Sequence, residues 1–188
     1  TSVTEVYQVK FVTSKGEFVV EVHPEWAPIA ATHFHKLVDA KFYDDCYFFR
    51  VIDNFMAQTG MNGDPQVNRQ WSDKNLQDEE VKQKNVRGMV TFGRSGLPNS
   101  RSTHIFVNYG TNSHLDTTGF PPFGKVISGM DVVASFYSGY DSRVINQDAI
   151  AFQGNDYLKK NFPKLDRIVT ARIIKKAKKT EKKKEPQK

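Results

Sequence analysis

Tyr47-Phe48-Phe49-Arg50-Val51-Ile52-Asp53-Asn54-Phe55-Met56-Ala57-Gln58-Thr59-Gly60 reads as two strands joined at Asp53-Asn54, because aromatic and β-branched residues flank that polar pair on both sides. Side chains of a strand alternate between two faces, so Arg50 and Ile52 share one face and Phe49 and Val51 take the other. Arg50 is the odd residue. A guanidinium keeps its proton at physiological pH and is rarely buried without an acceptor. The bland reading is an edge-strand arginine that reaches to water. The sharper one is a charged donor with a designated acceptor in an otherwise apolar hairpin, in which Gln58 follows Phe55-Met56 after the turn.

The chain around this hairpin reads as a series of short strands. Val6 to Val12 and Glu17 to Val22 alternate apolar with polar and are joined across Ser14-Lys15-Gly16, which predicts a hairpin. Pro28 suits the first turn of a helix, and Ala30, Phe34, Leu37 and Val38 form one apolar stripe ending near Ala40. His33 and His35 lie off that stripe and are expected on its solvent side. Met61 to Arg87 is polar and aperiodic, a loop with one short helical piece at most. Strands are expected at Gly88–Gly93, His104–Asn108, Gly119–Val126 and Arg167–Ile174. A short helix is expected over Met130–Tyr137, and another around Asp156–Asn161, halted by Pro163. Many short strands and two convincing helices predict a mainly-β fold, a closed antiparallel barrel with helices plugging its ends, since closure removes exposed edges.

Composition narrows the functions. The 188 residues suit one domain with a substantial core, and fourteen Phe and seven Tyr supply large apolar surfaces for it. The single cysteine, Cys46, excludes an internal disulfide and reads as core filler. No run of about 18 apolar residues appears, so no membrane span is expected. The net charge of +6 is a property of one end. Residues 172–188 carry nine Lys or Arg against two Glu, a net of +7, while the other 171 residues carry 18 basic and 19 acidic side chains, a net of −1. The body therefore lacks an electrostatic footprint for nucleic acid. The organisation expected is a body over 1–174 and a lysine-rich tail over 175–188. The tail reads as a solubilising extension, with an acidic protein or nucleic acid as the partner in the competing reading. A start at Thr1 without a signal-like segment fits a processed mature chain, organellar or secretory, a cytoplasmic one, or one trimmed for expression.

Four segments in order resemble the cyclophilin family of peptidyl-prolyl cis–trans isomerases. They are Phe49-Arg50-Val51-Ile52 with Phe55 to Gly60, Gly88 to Phe92, Thr103 to Asn108, and Phe123-Gly124-Lys125-Val126 with Gly129 to Val133. Gly154 to Leu158 and Phe162 to Asp166 are similar to a subgroup best known from bacteria. The resemblance implies an eight-stranded barrel capped by two helices, with a groove for proline-containing polypeptides on its outside. It implies that Arg50, Phe55 and Gln58 are catalytic. Met56, Phe106 and Leu115 would hold the proline ring, with Gly93, Arg94, His104, His114 and Phe120 also facing the substrate.

The chemistry fits those side chains. Amide resonance puts a barrier of about 18–20 kcal/mol on the Xaa-Pro bond. No bond breaks, so no nucleophile, metal or cofactor is expected. The family usually has Gln where His104 stands, often Trp where His114 stands, often His where Phe120 stands, and Ala-Asn in place of Gly93-Arg94. Inhibition by cyclosporin is therefore expected to be weakened. His104 reads as a hydrogen-bonding substitute for Gln, against a pH-sensitive gate titrating near neutrality. A groove kept only for docking, in a non-catalytic scaffold subunit, is the alternative that turnover of a Xaa-Pro peptide would discriminate.

Overall fold

The structure, a computed structural model, describes residues 1–176. Eight antiparallel strands form one sheet: β1 (Tyr7–Thr13), β2 (Gly16–Val22), β3 (Arg50–Ile52), β4 (Met56–Thr59), β5 (Met89–Phe92), β6 (Ile105–Asn108), β7 (Pro122–Ser128) and β8 (Ile168–Lys176). Their spatial order is β3-β4-β6-β5-β7-β2-β1-β8. The expectation of a closed barrel is corrected here. The edge strands β3 and β8 share no ladder. Their flanks meet through the isolated bridge Tyr47 to Arg167 and through main-chain bonds such as Phe48 N–H to Asp166 O at 2.9 Å. The start of β8 is met by the segment before β3, with Asp45 N–H donating to Ile168 O at 2.9 Å and Ile168 N–H to Cys46 O at 2.8 Å, so β3 itself stays unpaired on that side. The sheet curls but stays open as a ladder.

Period-two alternation carries the core. Tyr7, Val9, Phe11, Phe18, Val20 and Val22 point inward, and Phe11 stacks on its cross-strand partner Phe18 at 4.7 Å. Helix α1 (Pro28–Asp39) lies against β7 and β8 and buries the expected Ala30, Phe34, Leu37 and Val38. His33 is a correction: it is buried, and its Nε2 lies 2.7 Å from Ser102 O. At 100° per residue it falls at the edge of the stripe beside Leu37, so the apolar face is wider than four residues suggest. His35 is half-buried and faces Asp39 at 3.2 Å.

Five α-helices are found among the described residues, where two convincing ones were expected. Helix α2 (Pro65–Ser72) is the single helical piece of the long polar stretch, begun by Asp64, whose carboxylate accepts from Gln66 N–H at 2.9 Å. Helix α3 (Met130–Ala134) is shorter than its pattern. Helices α4 (Gln147–Gln153) and α5 (Asn155–Asn161) meet at Gly154, whose φ of +64° makes the corner. They bury Ile150 and Leu158 against Tyr47, Phe49 and Leu165, a second small core beside β3. No helix among the described residues is long and apolar enough to cross a membrane. Strand β8 runs two residues past its expected end and includes Lys175 and Lys176. The rest of the lysine-rich tail lies outside the described residues.

Candidate active site

Register places the chemistry. Arg50 lies directly across from Gln58, and Gln58 directly across from Phe106. Opposed residues share a face, so these three and His104, two residues before Phe106, stand together on the outside of the sheet. The intervening row, Val51, Ala57, Val107 and Val90, faces the core. Phe49, expected to share that inward face, turns instead to the second core and packs edge-on against His104 at 5.4 Å.

A groove of about 440 Å³ opens on this outer face. Ten of the eleven residues expected at the site line it: Arg50, Phe55, Met56, Gln58, Gly93, Arg94, His104, Phe106, Leu115 and Phe120. The eleventh, His114, is exposed and outside the lining, with its ring 5.9 Å from that of Phe55. At one end Met56, Phe106 and Leu115 are buried together, and Ile52, Phe55 and Phe120 close around them. The other end is polar, with Ser95, Ser100 and Ser102 in the wall. Those serines and Gln147, at the start of α4, are site residues that sequence reasoning missed. Serines at 95, 100 and 102 carry no signal in sequence that sets them apart from ordinary loop residues. Nothing around Gln147 linked the 139–166 stretch to the hairpin.

A chain of polar contacts crosses the groove floor. Arg50 Nη1 donates to Gln58 Oε1 at 3.1 Å, and Gln58 Nε2 donates to His104 Nδ1 at 3.1 Å. Because the amide oxygen is taken by Arg50, the amide nitrogen must face His104, whose Nδ1 then carries the lone pair and whose Nε2 the proton. Burial pulls the His104 pKa down to about 4, so the imidazole is neutral throughout the working range. The lowered pKa stands against the competing reading of His104, a gate titrating near neutrality. Burial also lowers the Arg50 pKa, though a guanidinium keeps its charge in proteins. Its carbon lies 5.8 Å above the Phe55 ring.

Behind the apolar end is an asparagine network that sequence did not disclose. Asn112 Nδ2 donates to Phe55 O and to Asn108 Oδ1, at 2.9 and 2.8 Å. Asn85 Nδ2 donates to Phe120 O at 2.9 Å, and its Oδ1 accepts from Thr91 and Asn108. Both aromatic walls are thus pinned by their main chains. Buried amides satisfied on both atoms rigidify what they hold. No group of three or more His, Cys, Asp or Glu that could hold a metal occurs among the described residues.

A curled eight-stranded sheet thus carries on its outer face a groove with an apolar end beside a guanidinium held by Gln58. The family model for cyclophilin type peptidyl-prolyl cis-trans isomerase/CLD matches residues 8–155. The chain belongs to that family, whose members bind proline-containing peptides and turn the Xaa-Pro bond. It is 36% identical over 128 residues to the human peptidyl-prolyl cis-trans isomerase-like 3, covering 64% of this chain and 76% of that one. It is 33% identical over 130 residues to a peptidyl-prolyl cis-trans isomerase of Acinetobacter baylyi, covering 66% and 69%. The fold is similar to that of a cyclophilin-type isomerase from Cryptosporidium parvum, with a TM-score of 0.69 at 20% identity over 90% of this chain and 98% of that one.

Proposed function

We propose that Arg50 carries the isomerase reaction, with Phe55 and Gln58 as its immediate partners and the Met56, Phe106, Leu115 and Phe120 pocket as the seat of the proline ring. The observation that carries this reading is the placement of the guanidinium: fixed by Gln58, half-buried, and beside the apolar end of the groove.

Twisting the amide ends its resonance and returns a lone pair to the prolyl nitrogen. A donor aimed at that nitrogen bonds more strongly in the twisted transition state than in the planar ground state, which is what lowers a barrier. The pocket immobilises the ring, so rotation falls on the carbonyl side. It also excludes water, so the donor acts at a low local dielectric. Holding the bond in register and stabilising the nitrogen together supply about 5–8 kcal/mol. Gln58 has a further part. With its oxygen on Arg50 and its nitrogen on His104, it fixes the direction of the guanidinium over the Phe55 ring. The neutral His104 completes the relay, and Gly93 offers main chain to an extended polypeptide. The isomerase unit is the body over residues 1–174, with the lysine-rich tail from 175 onward.

The test is turnover of a Xaa-Pro peptide by the purified chain with an Arg50→Ala variant beside it. Loss of roughly a hundredfold or more in kcat/KM is expected, the usual effect of removing a transition-state donor, with an unchanged circular dichroism spectrum. Activity within a few-fold of the unmodified protein would overturn the assignment.

A further inference from the structure

Arg94 follows β5 at the mouth of the groove, where a guanidinium reads as a free charge offered to the substrate. Its donors point elsewhere. Nε donates to Ser95 O at 3.1 Å, Nη2 to Leu97 O at 3.0 Å and Nη1 to Gly119 O at 3.3 Å. Asp78 Oδ1 lies 3.6 Å from Nη1, and the side chain is only 13% exposed. Three carbonyls and a carboxylate leave this guanidinium little to give a ligand.

What those carbonyls belong to matters. Ser95 and Leu97 are in the polar wall, which is folded on itself through Ser100, whose Oγ donates to Leu97 O at 2.7 Å and accepts from Ser95 N–H at 3.1 Å. Gly119 precedes Phe120, a lining residue whose ring meets Phe106 edge-on at 6.1 Å. Phe120 O is already held by Asn85, so the arginine fixes the neighbouring peptide of the same lip. Gly119 has a φ of +84°, and a Cβ there would run into Nη1 of Arg94. The glycine therefore leaves the room that the guanidinium fills. Behind the wall the same segment is braced again: Leu76 N–H donates to Arg101 O at 2.8 Å, and Asp78 N–H donates to Asn99 Oδ1 at 2.7 Å.

We infer that Arg94 is a positioning strut across the groove, tying the Ser95–Ser100 wall to the Phe120 lip. By fixing that gap it sets the size of the residue beside the proline that the groove admits. The strut acts through Gly119 and the wall and makes no recognition of substrate charge. The inference rests on the groove being the substrate site.

The experiment compares kcat and KM for Ala-Pro, Phe-Pro, Glu-Pro and Lys-Pro peptides in the unmodified protein, Arg94→Met, Gly119→Ala and the double variant. Arg94→Met keeps the length and loses the donors, whereas Gly119→Ala keeps the charge and displaces it. Both should lower the Ala-Pro to Phe-Pro ratio of kcat/KM by roughly threefold or more, mostly through KM, as a widened pocket loses its discrimination by size. The double variant should add nothing further, because both changes remove one contact. If either single variant fails to fold, the other decides. A ratio unchanged in the folded variants overturns the inference. So does a salt-sensitive loss of Glu-Pro preference in Arg94→Met alone, which would make Arg94 a reader of charge. Arg50→Ala, assayed alongside, separates this from failure of the site itself: if that variant keeps full turnover, the groove assignment is what falls.

Discussion

Replacing His104 by glutamine should make the fold more resistant to acid, with a magnitude that follows from the site. The imidazole is packed on Phe49 and accepts from Gln58 at Nδ1, so protonation would set an N–H against an N–H in a poorly hydrated place. Its pKa is 6.5 in an open chain and about 4 here. The sign follows directly. Above pH 6.5 neither state takes the proton and His104 contributes nothing to the pH dependence. Between 6.5 and 4 the unfolded chain binds a proton that the folded one refuses, so stability falls as the pH drops and the loss is complete below 4. A gap of about 2.5 pH units at about 1.4 kcal/mol each gives a loss of about 3 kcal/mol. His33, whose pKa burial also lowers, adds a loss in the same direction to both proteins and cancels in the comparison. Urea unfolding followed by tryptophan fluorescence at pH 7.5, 6, 5 and 4 measures the difference between His104→Gln and the unmodified chain. That difference should move by about 3 kcal/mol in favour of glutamine between the two ends of the range. A difference constant with pH would refute the burial argument, and half-loss of activity near pH 6.5 absent from His104→Gln would restore the gate.

Other outcomes follow from single contacts. Arg101 is fully buried and donates to Glu79 Oε2 at 3.0 Å, while the same carboxylate accepts from Ile29 and Ala30 N–H, both at 2.9 Å, at the uncapped start of α1. Glu79→Gln should therefore lose about 3–5 kcal/mol in chemical denaturation, the cost of stranding a buried charge; a loss below about 1 kcal/mol would contradict it. Cys46 is fully buried in the core and its pKa is raised by burial, so a thiol reagent should label it only in denaturant, and labelling of the native protein within minutes would contradict that. His114 offers no flat apolar wall to the groove, so cyclosporin should inhibit at least about tenfold more weakly than relatives with an indole there, and His114→Trp should recover the difference in the inhibition constant.

The sequence disclosed what is local or periodic. The β1–β2 hairpin, the α1 stripe and the hairpin that carries Arg50 and Gln58 follow from alternation along a few residues. What it hid depends on distance along the chain. Glu79 caps α1 from 50 residues away, and Arg94 reaches Gly119 from 25. Neither residue type announces its partner, so Arg94 read only as a residue facing the substrate. The asparagines at 85 and 112 lie in loops and Asn108 ends β6, and nothing links them until the fold stacks them behind the aromatic walls. Helix α4 has one fully buried side chain, Ile150, too little for a stripe. The closed barrel was inferred from the need to remove edges, and the segment before β3 meets that need with a bridge and a few main-chain bonds.

The claim that Arg50 acts on the twisted bond, and not merely on binding, is tested most directly by exchange NMR on a saturating Ala-Pro peptide. This reads the cis–trans interconversion rate on the enzyme separately from affinity. Arg50→Ala should slow interconversion of the bound peptide by roughly 10²–10³-fold while Kd changes only a few-fold, because the lost donor served the transition state. A bound rate near that of the unmodified protein, with affinity lost instead, would contradict the account.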